Sequence, residues 1–129
     1  KRRGRIHSYE SYDSARTAFL VVDMQNYFVE EGEQGYCAAA RNIVPNINRL
    51  ARAVRETGGL VVWIVMEASE ESRQNWQNFH QTYLPENTEK RFTSLGFDGH
   101  GFELWHELEA ENADQTVIKA RYSAFIQDS

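Results

Sequence analysis

The sequence predicts an α/β domain built on a parallel sheet, and three features predict it. Phe19–Val22 is a continuous apolar, β-branched run, the pattern of a strand buried on both faces. Residues 39–56 carry apolar side chains at helical spacing. Leu60–Val65 is a second apolar run directly after a double glycine. Strand, loop, helix, glycine stop and strand make a βαβ unit, for which a right-handed crossover is expected.

The first strand ends at Asp23, and a polar loop follows through Gln25, Asn26, Gly32 and Gly35. The helix from Ala39 to Glu56 places Ile43, Ile47, Leu50, Ala51 and Val54 on one face. Asn42 is a candidate cap, with Pro45 accommodated in the first turn. Gly58-Gly59 supplies the stop. Residues 67–100 are polar and hold Trp76, Phe79, Tyr83 and Phe92 without a clear period, so they read as a long functional or covering loop. Phe102–Leu108 reads as a short helical turn. Thr116-Val117-Ile118 is a third short strand ending at Lys119. No helix or strand follows it, and the pattern reads as interrupted at Ser129, with apolar sheet edges and strand faces left exposed.

The chain has 129 residues, room for one domain and a real core. Apolar residues make up 41% and the mean hydropathy is −0.63. No run approaches the roughly 18 apolar residues of a membrane span, and no apolar segment follows the basic start, so no membrane partner and no secretory signal are expected. A single cysteine, Cys37, excludes an internal disulfide and fits a reducing cytoplasm. The net charge is −5, and four of the fourteen basic residues lie in the first five positions. The acidic remainder argues against a nucleic-acid surface.

Ligands of open α/β sheets bind beyond the carboxyl ends of the strands. Asp23 and Lys119 occupy two such ends. Neighbouring strands would bring their side chains together. An aspartate there can take a proton from a nucleophile, and a lysine can hold the resulting anion. The bland alternative is a loop cap and a surface lysine. Gln25 and Asn26 either bind a polar substrate or bond the loop backbone. Cys37 has no evident base and reads as a plain thiol. His7, His80, His100 and His106 show no metal-ligand spacing and read as ordinary polar histidines, and Glu67, Glu70 and Glu71 as a solvated face. The aromatic residues Trp76, Phe79, Tyr83, Phe92 and Trp105 either cover a pocket or simply pack. Gly96, Gly99 and Gly101 are not a phosphate-binding fingerprint, and no cofactor or metal is expected.

The segment Phe19-Leu20-Val21-Val22-Asp23-Met24-Gln25-Asn26-Tyr27-Phe28 resembles the opening motif of the isochorismatase-like cysteine hydrolases. Residues 40–50 resemble that family's first helix, and Gly59-Leu60-Val61-Val62-Trp63 its second strand. Val117-Ile118-Lys119-Ala120-Arg121-Tyr122-Ser123-Ala124-Phe125 resembles its lysine motif. The resemblance runs from about residue 5 to Ser129. It implies a Rossmann-like three-layer fold with a central parallel sheet, with residues 1–129 as one domain incomplete at its C-terminus. It also implies an Asp-Lys-Cys triad. By motif, Asp23 is the general base and Lys119 the lysine that supports the thiolate. The family's cysteine lies beyond that lysine, so Cys37 is not its match, and the 129 residues alone are expected to be inactive.

The same resemblance implies cleavage of a C–N bond in a small amide, ureide or carbamoyl compound, and a homo-oligomer. Gln25, Asn26, Phe28 and Tyr122 are the expected pocket residues. The nicotinamidase branch carries an Asp-x-His metal motif where this chain reads Met66-Glu67-Ala68-Ser69. An isochorismatase-type vinyl-ether hydrolase and a catalytically silent binding or assembly module are the alternatives.

Overall fold

The structure is a computed structural model and describes residues 4, 9, 11–82 and 85–125. The basic N-terminal side chains, His7 and Tyr83 lie outside the described residues. Strands β1 (Ala18–Val22), β2 (Leu60–Met66) and β3 (Gln115–Lys119) form one parallel sheet with β2 in the centre. The register pairs Val21 with Trp63 and Met66 with Lys119. Between β1 and β2 lie α1 (Asn26–Val29) and α2 (Ala40–Glu56). Between β2 and β3 lie α3 (Glu70–Asn75), α4 (Gln77–His80), α5 (Pro85–Leu95) and a 3₁₀ turn at His100–Phe102.

Residues 67–95 are therefore more ordered than their sequence suggests, because their order is local. Ser69 and Ser72 form a reciprocal cap at the start of α3. Pro85 begins α5, where its missing N–H costs nothing. The helical turn expected over Phe102–Leu108 ends at Phe102. Leu104 then bridges Gln25 in an extended conformation.

Helix α2 packs one face on the sheet through Val44, Ile47 and Ala51, with Val54 half-buried beside them. Ile43 and Leu50, expected on that face, are exposed on the other side. Asn42 lies inside the helix, and Ala39 caps it without a side-chain hydrogen bond. Pro45 stands beyond the first turn. The glycine stop is as expected. Gly58 adopts φ 79°, its N–H bonds to Arg55 O, and Gly59 N–H reaches Val54 O. These two bonds close a Schellman motif.

The main core lies between α2 and one face of the sheet: Val21, Met24, Val29, Val61, Trp63 and Trp105. A smaller cluster joins Tyr27, Met66, Ala68 and Leu95 beyond the end of β2. Strand β2 is buried on both faces, but β1 is not. Leu20 is 43% and Val22 48% exposed on the face away from α2. Apart from the 4% exposed Val21, β1 is at most partly buried, contrary to its apolar pattern.

Candidate active site

Strands β1 and β3 flank β2, and their carboxyl ends meet across it. Asp23 Oδ2 accepts a hydrogen bond from Lys119 Nζ at 2.8 Å. Lys119 is 3% exposed, whereas the Asp23 side chain keeps a window to solvent. The ammonium also donates to the Tyr122 carbonyl at 3.1 Å. Lysine has three donors, so one N–H remains. On the partner, Asp23 Oδ1 is buried and accepts no hydrogen bond. The pair thus presents one unused acceptor and one unused donor.

The backbone holds this arrangement under strain. Asp23 sits at φ 58°, the one non-glycine residue with positive φ among those described. Such a conformation costs an L-residue about 1–2 kcal/mol, and strain of this kind clusters at functional sites. Its N–H still bonds to Ile64 O at 2.9 Å, so β1 stays in register up to the bend. The bend is what turns the carboxylate across the strand ends.

Gln25 stands behind the pair. It is fully buried, its amide nitrogen donates to the carbonyls of Met66 and Phe102, and its amide oxygen accepts from Met66 N–H at 2.7 Å. Of the two roles open to it, bonding the backbone is the one its side chain performs. Asn26 Nδ2 donates to His100 O, while its Oδ1 is buried and has no partner. Phe28 packs edge-on against Tyr27 and joins both apolar clusters. The Tyr122 ring packs edge-on against the stacked Trp76 and Phe79. Strand ends thus bring Asp23, Lys119 and the Tyr122 backbone together, with Asn26 on the following helix. Phe28 belongs to the core.

Two neighbours were missed by sequence reasoning. Glu67, expected on a solvated face, is only 9% exposed, and its Oε1 has no partner. Its N–H bonds to the Lys119 carbonyl at 2.9 Å, so it follows β2 as Asp23 follows β1. The signal was available: each of the three strands ends at a charged residue. Glu70 and Glu71 are exposed as expected. His80, read as an ordinary polar histidine, is buried among Trp76, Phe79 and Phe92. Its pKa is lowered by burial and then by Arg91 and Arg73. Two further residues are as the sequence reads them. Cys37 is an exposed free thiol, and Trp105 packs in the core.

The parallel sheet with helices packed on it, carrying a strained aspartate against a buried lysine at its strand ends, is the α/β architecture that the motifs imply. The family model described as the isochorismatase domain matches residues 17–129, and the chain belongs to the isochorismatase family. It is 34% identical over 110 residues to a probable inactive nicotinamidase of Arabidopsis thaliana, covering 84% of this chain and 54% of that protein. It is 28% identical over 130 residues to a ureidoacrylate amidohydrolase of Klebsiella pneumoniae, covering 89% and 54%. The fold superposes on a cysteine hydrolase from Pseudomonas syringae pv. phaseolicola with TM-score 0.75 at 25% identity, covering 88% of this chain and 51% of that one. The chain spans about half the length of these relatives. Its family includes amidohydrolases, and its α/β fold is theirs. Among the described residues, no helix is long and apolar enough to cross a membrane.

Proposed function

We propose that this chain carries the Asp–Lys part of a cysteine-dependent hydrolase that cleaves a C–N bond in a small amide, ureide or carbamoyl compound. The observation that carries this reading is the pair itself: Asp23 Oδ2 on Lys119 Nζ, with Asp23 Oδ1 left over at the strand ends. Burying a lysine is costly, and stability alone is a weak reason to keep such a pair. Catalysis is a better one.

In this reading Asp23 Oδ1 takes the proton of a cysteine thiol placed C-terminal to Lys119 in the family pattern. The thiolate attacks the carbonyl carbon, and the carbonyl π pair moves to oxygen. The C–N bond then breaks, and the nitrogen leaves with the proton from Asp23 as ammonia or an amine. Water adds to the thioester, the C–S bond breaks, and the acid and the thiol are restored. Lys119 holds the negative charge near the thiolate throughout. Asn26 Oδ1 is a substrate acceptor in this scheme, and Tyr122 anchors Lys119 through its carbonyl. Gln25 acts from behind, by fixing the end of β2. Similarity to ureidoacrylate amidohydrolases supports a ureide among the possible substrates.

The test uses the polypeptide expressed from its complete reading frame, with a panel of amides, ureides, N-carbamoyl compounds and isochorismate. Asp23→Asn and Lys119→Ala should each lower turnover of one C–N substrate by about 10²–10⁴-fold. Wild-type turnover in either variant overturns the assignment. Cleavage of isochorismate alone selects the ether-hydrolase alternative. Similarity to a probable inactive nicotinamidase supports the silent-module alternative. Binding of carbonyl compounds without turnover selects it.

A further inference from the structure

A second cluster of polar groups lies beside the strand ends. A cavity of about 210 Å³ is lined by Tyr27, Gln34, His80, Asn87, Thr88 and Arg91. None of these is a carboxylate, in a chain that carries nineteen. Three other arginines are matched: Arg52 pairs with Glu109 and Arg55 with Asp114 on α2, and Arg73 with Glu70 and Glu89 beside the cavity, whereas Arg41 donates to the Val29 carbonyl. Arg91 has no carboxylate partner among the described residues. Its Nη2 donates to the Met66 sulfur at 3.2 Å, its guanidinium lies 5.3 Å from the Phe79 ring centroid, and its Nε is buried with no partner. A thioether and a ring face do little to offset the desolvation of a guanidinium.

His80 lines the same cavity and is nine-tenths buried. Its ring is hydrogen-bonded to the Ser72 backbone, and its Nε2 has no partner. Burial and the nearby Arg91 and Arg73 keep the ring neutral at pH 7. Nε2 is then an acceptor next to a cation. A guanidinium with no carboxylate on it, beside one acceptor, matches a carboxylate beside an N–H or O–H group.

We infer that this cavity binds the carboxylate of a small organic acid on Arg91, with a neighbouring N–H or O–H of the same molecule donating to His80. A ureido acid has this pattern. The acid is either the far end of the enzyme's own substrate or a separate small ligand. Its position favours the former, because Arg91 touches Met66, whose backbone pairs with Lys119. That refinement rests on the hydrolase reading; binding itself does not.

The test is calorimetry on the complete polypeptide with 3-ureidopropionate, its primary amide and inorganic phosphate. The acid should bind about tenfold or more tightly than the amide, the effect of one charge-assisted contact. Arg91→Gln should abolish this preference and Arg91→Lys restore part of it. Asn87→Asp places a carboxylate one helical turn before Arg91, so it should fill the site without harming the fold. It should abolish acid binding equally. A preference that survives in both Arg91→Gln and Asn87→Asp, or equal binding of acid and amide by the wild type, overturns the inference. Displacement of the acid by phosphate, lost in Arg91→Gln, would assign the site to free oxyanions as well. In turnover, a KM raised about tenfold for ureido acids but not for neutral ureides would identify the substrate's own acid end. An unchanged KM with lost binding would identify a separate ligand. Absence of all turnover with the binding pattern intact would sink the hydrolase reading and leave this one standing.

Discussion

Asp23 and Lys119 are 96 residues apart in the chain, yet their side chains meet at 2.8 Å across the end of the central strand. The two partners are not equivalent. Lys119 is enclosed, whereas Asp23 has a path to water and sits in a strained conformation. Their removal should therefore have unequal effects on stability.

Asp23→Gly relieves the positive φ, which is worth about 1 kcal/mol, but leaves a buried ammonium without its carboxylate. Breaking a buried pair from one side costs roughly 3–5 kcal/mol, so a net loss of about 2–4 kcal/mol is expected. Lys119→Met leaves a carboxylate that can rehydrate and should cost about 1 kcal/mol. Urea unfolding of the two variants checks the order. Equal losses would show that the lysine is not the isolated partner the geometry makes it.

Gln25 should behave as a structural residue. Its side chain satisfies both the N–H and the carbonyl of Met66, and the carbonyl of Phe102 as well. Gln25→Met keeps the volume but strands these buried groups. About 2–4 kcal/mol of stability should be lost, at roughly 1–3 kcal/mol for each unsatisfied group with partial relaxation. If the variant is as stable as the wild type and only substrate affinity falls, Gln25 is a pocket residue instead.

Asp114 ties β3 to the core. Burial pushes its carboxyl up, but hydrogen bonds from Arg55, the Glu111 backbone and the Trp63 indole together hold it down at about 2. The carboxylate is the favoured form in the fold, so its contribution is complete above the ordinary value of 3.8 and is lost as pH falls from there to about 2. The difference corresponds to about 2 kcal/mol. Denaturant midpoints measured at pH 5 and pH 2.5 should converge between wild type and Asp114→Asn on acidification. Parallel curves would show that Asp114 titrates alike in the folded and unfolded chain.

The strands, the amphipathic helix and its glycine stop were legible because each is written in local pattern. The meeting of Asp23 with Lys119 was legible only in part: parallel strands bring their carboxyl ends to one edge, but β1 and β3 are not neighbours, and the two side chains meet across the end of β2. The helices within residues 67–95 were not legible. Their apolar residues are few and aromatic, and Trp76, Phe79, His80 and Phe92 pack on one another at spacings that follow no single period. The bare face of β1 divides two readings: Leu20 and Val22 have the apolar pattern of a covered strand, but they form one of the exposed strand faces expected of the interrupted pattern. Arg91 and His80 were invisible as a pair. Nothing in a sequence marks which arginine lacks a carboxylate.

The two described histidines with perturbed titration should separate in opposite directions. His80 is held below the usual 6.5 by burial, with Arg91 and Arg73 adding to it. His100 is held above it by its hydrogen bond to the Glu30 carboxylate, an exposed contact at 2.5 Å. Proton NMR titration of the imidazole C2 resonances should show His100 moving first as pH is lowered and His80 last. The stability consequences also differ in sign. Between 6.5 and its lowered folded value, His80 takes up a proton in the unfolded chain but not in the folded one, so stability falls as pH falls through that window. His100 binds its proton more readily when folded, so its contribution is present below 6.5 and fades as pH rises through the higher folded value. Solvent screening keeps that second effect small. His80→Phe should flatten the loss below pH 6.5, and Glu30→Gln should return His100 towards its ordinary titration. Coincident titration of the two rings would place His80 in water rather than against Arg91, and the acid-binding cavity would lose its acceptor.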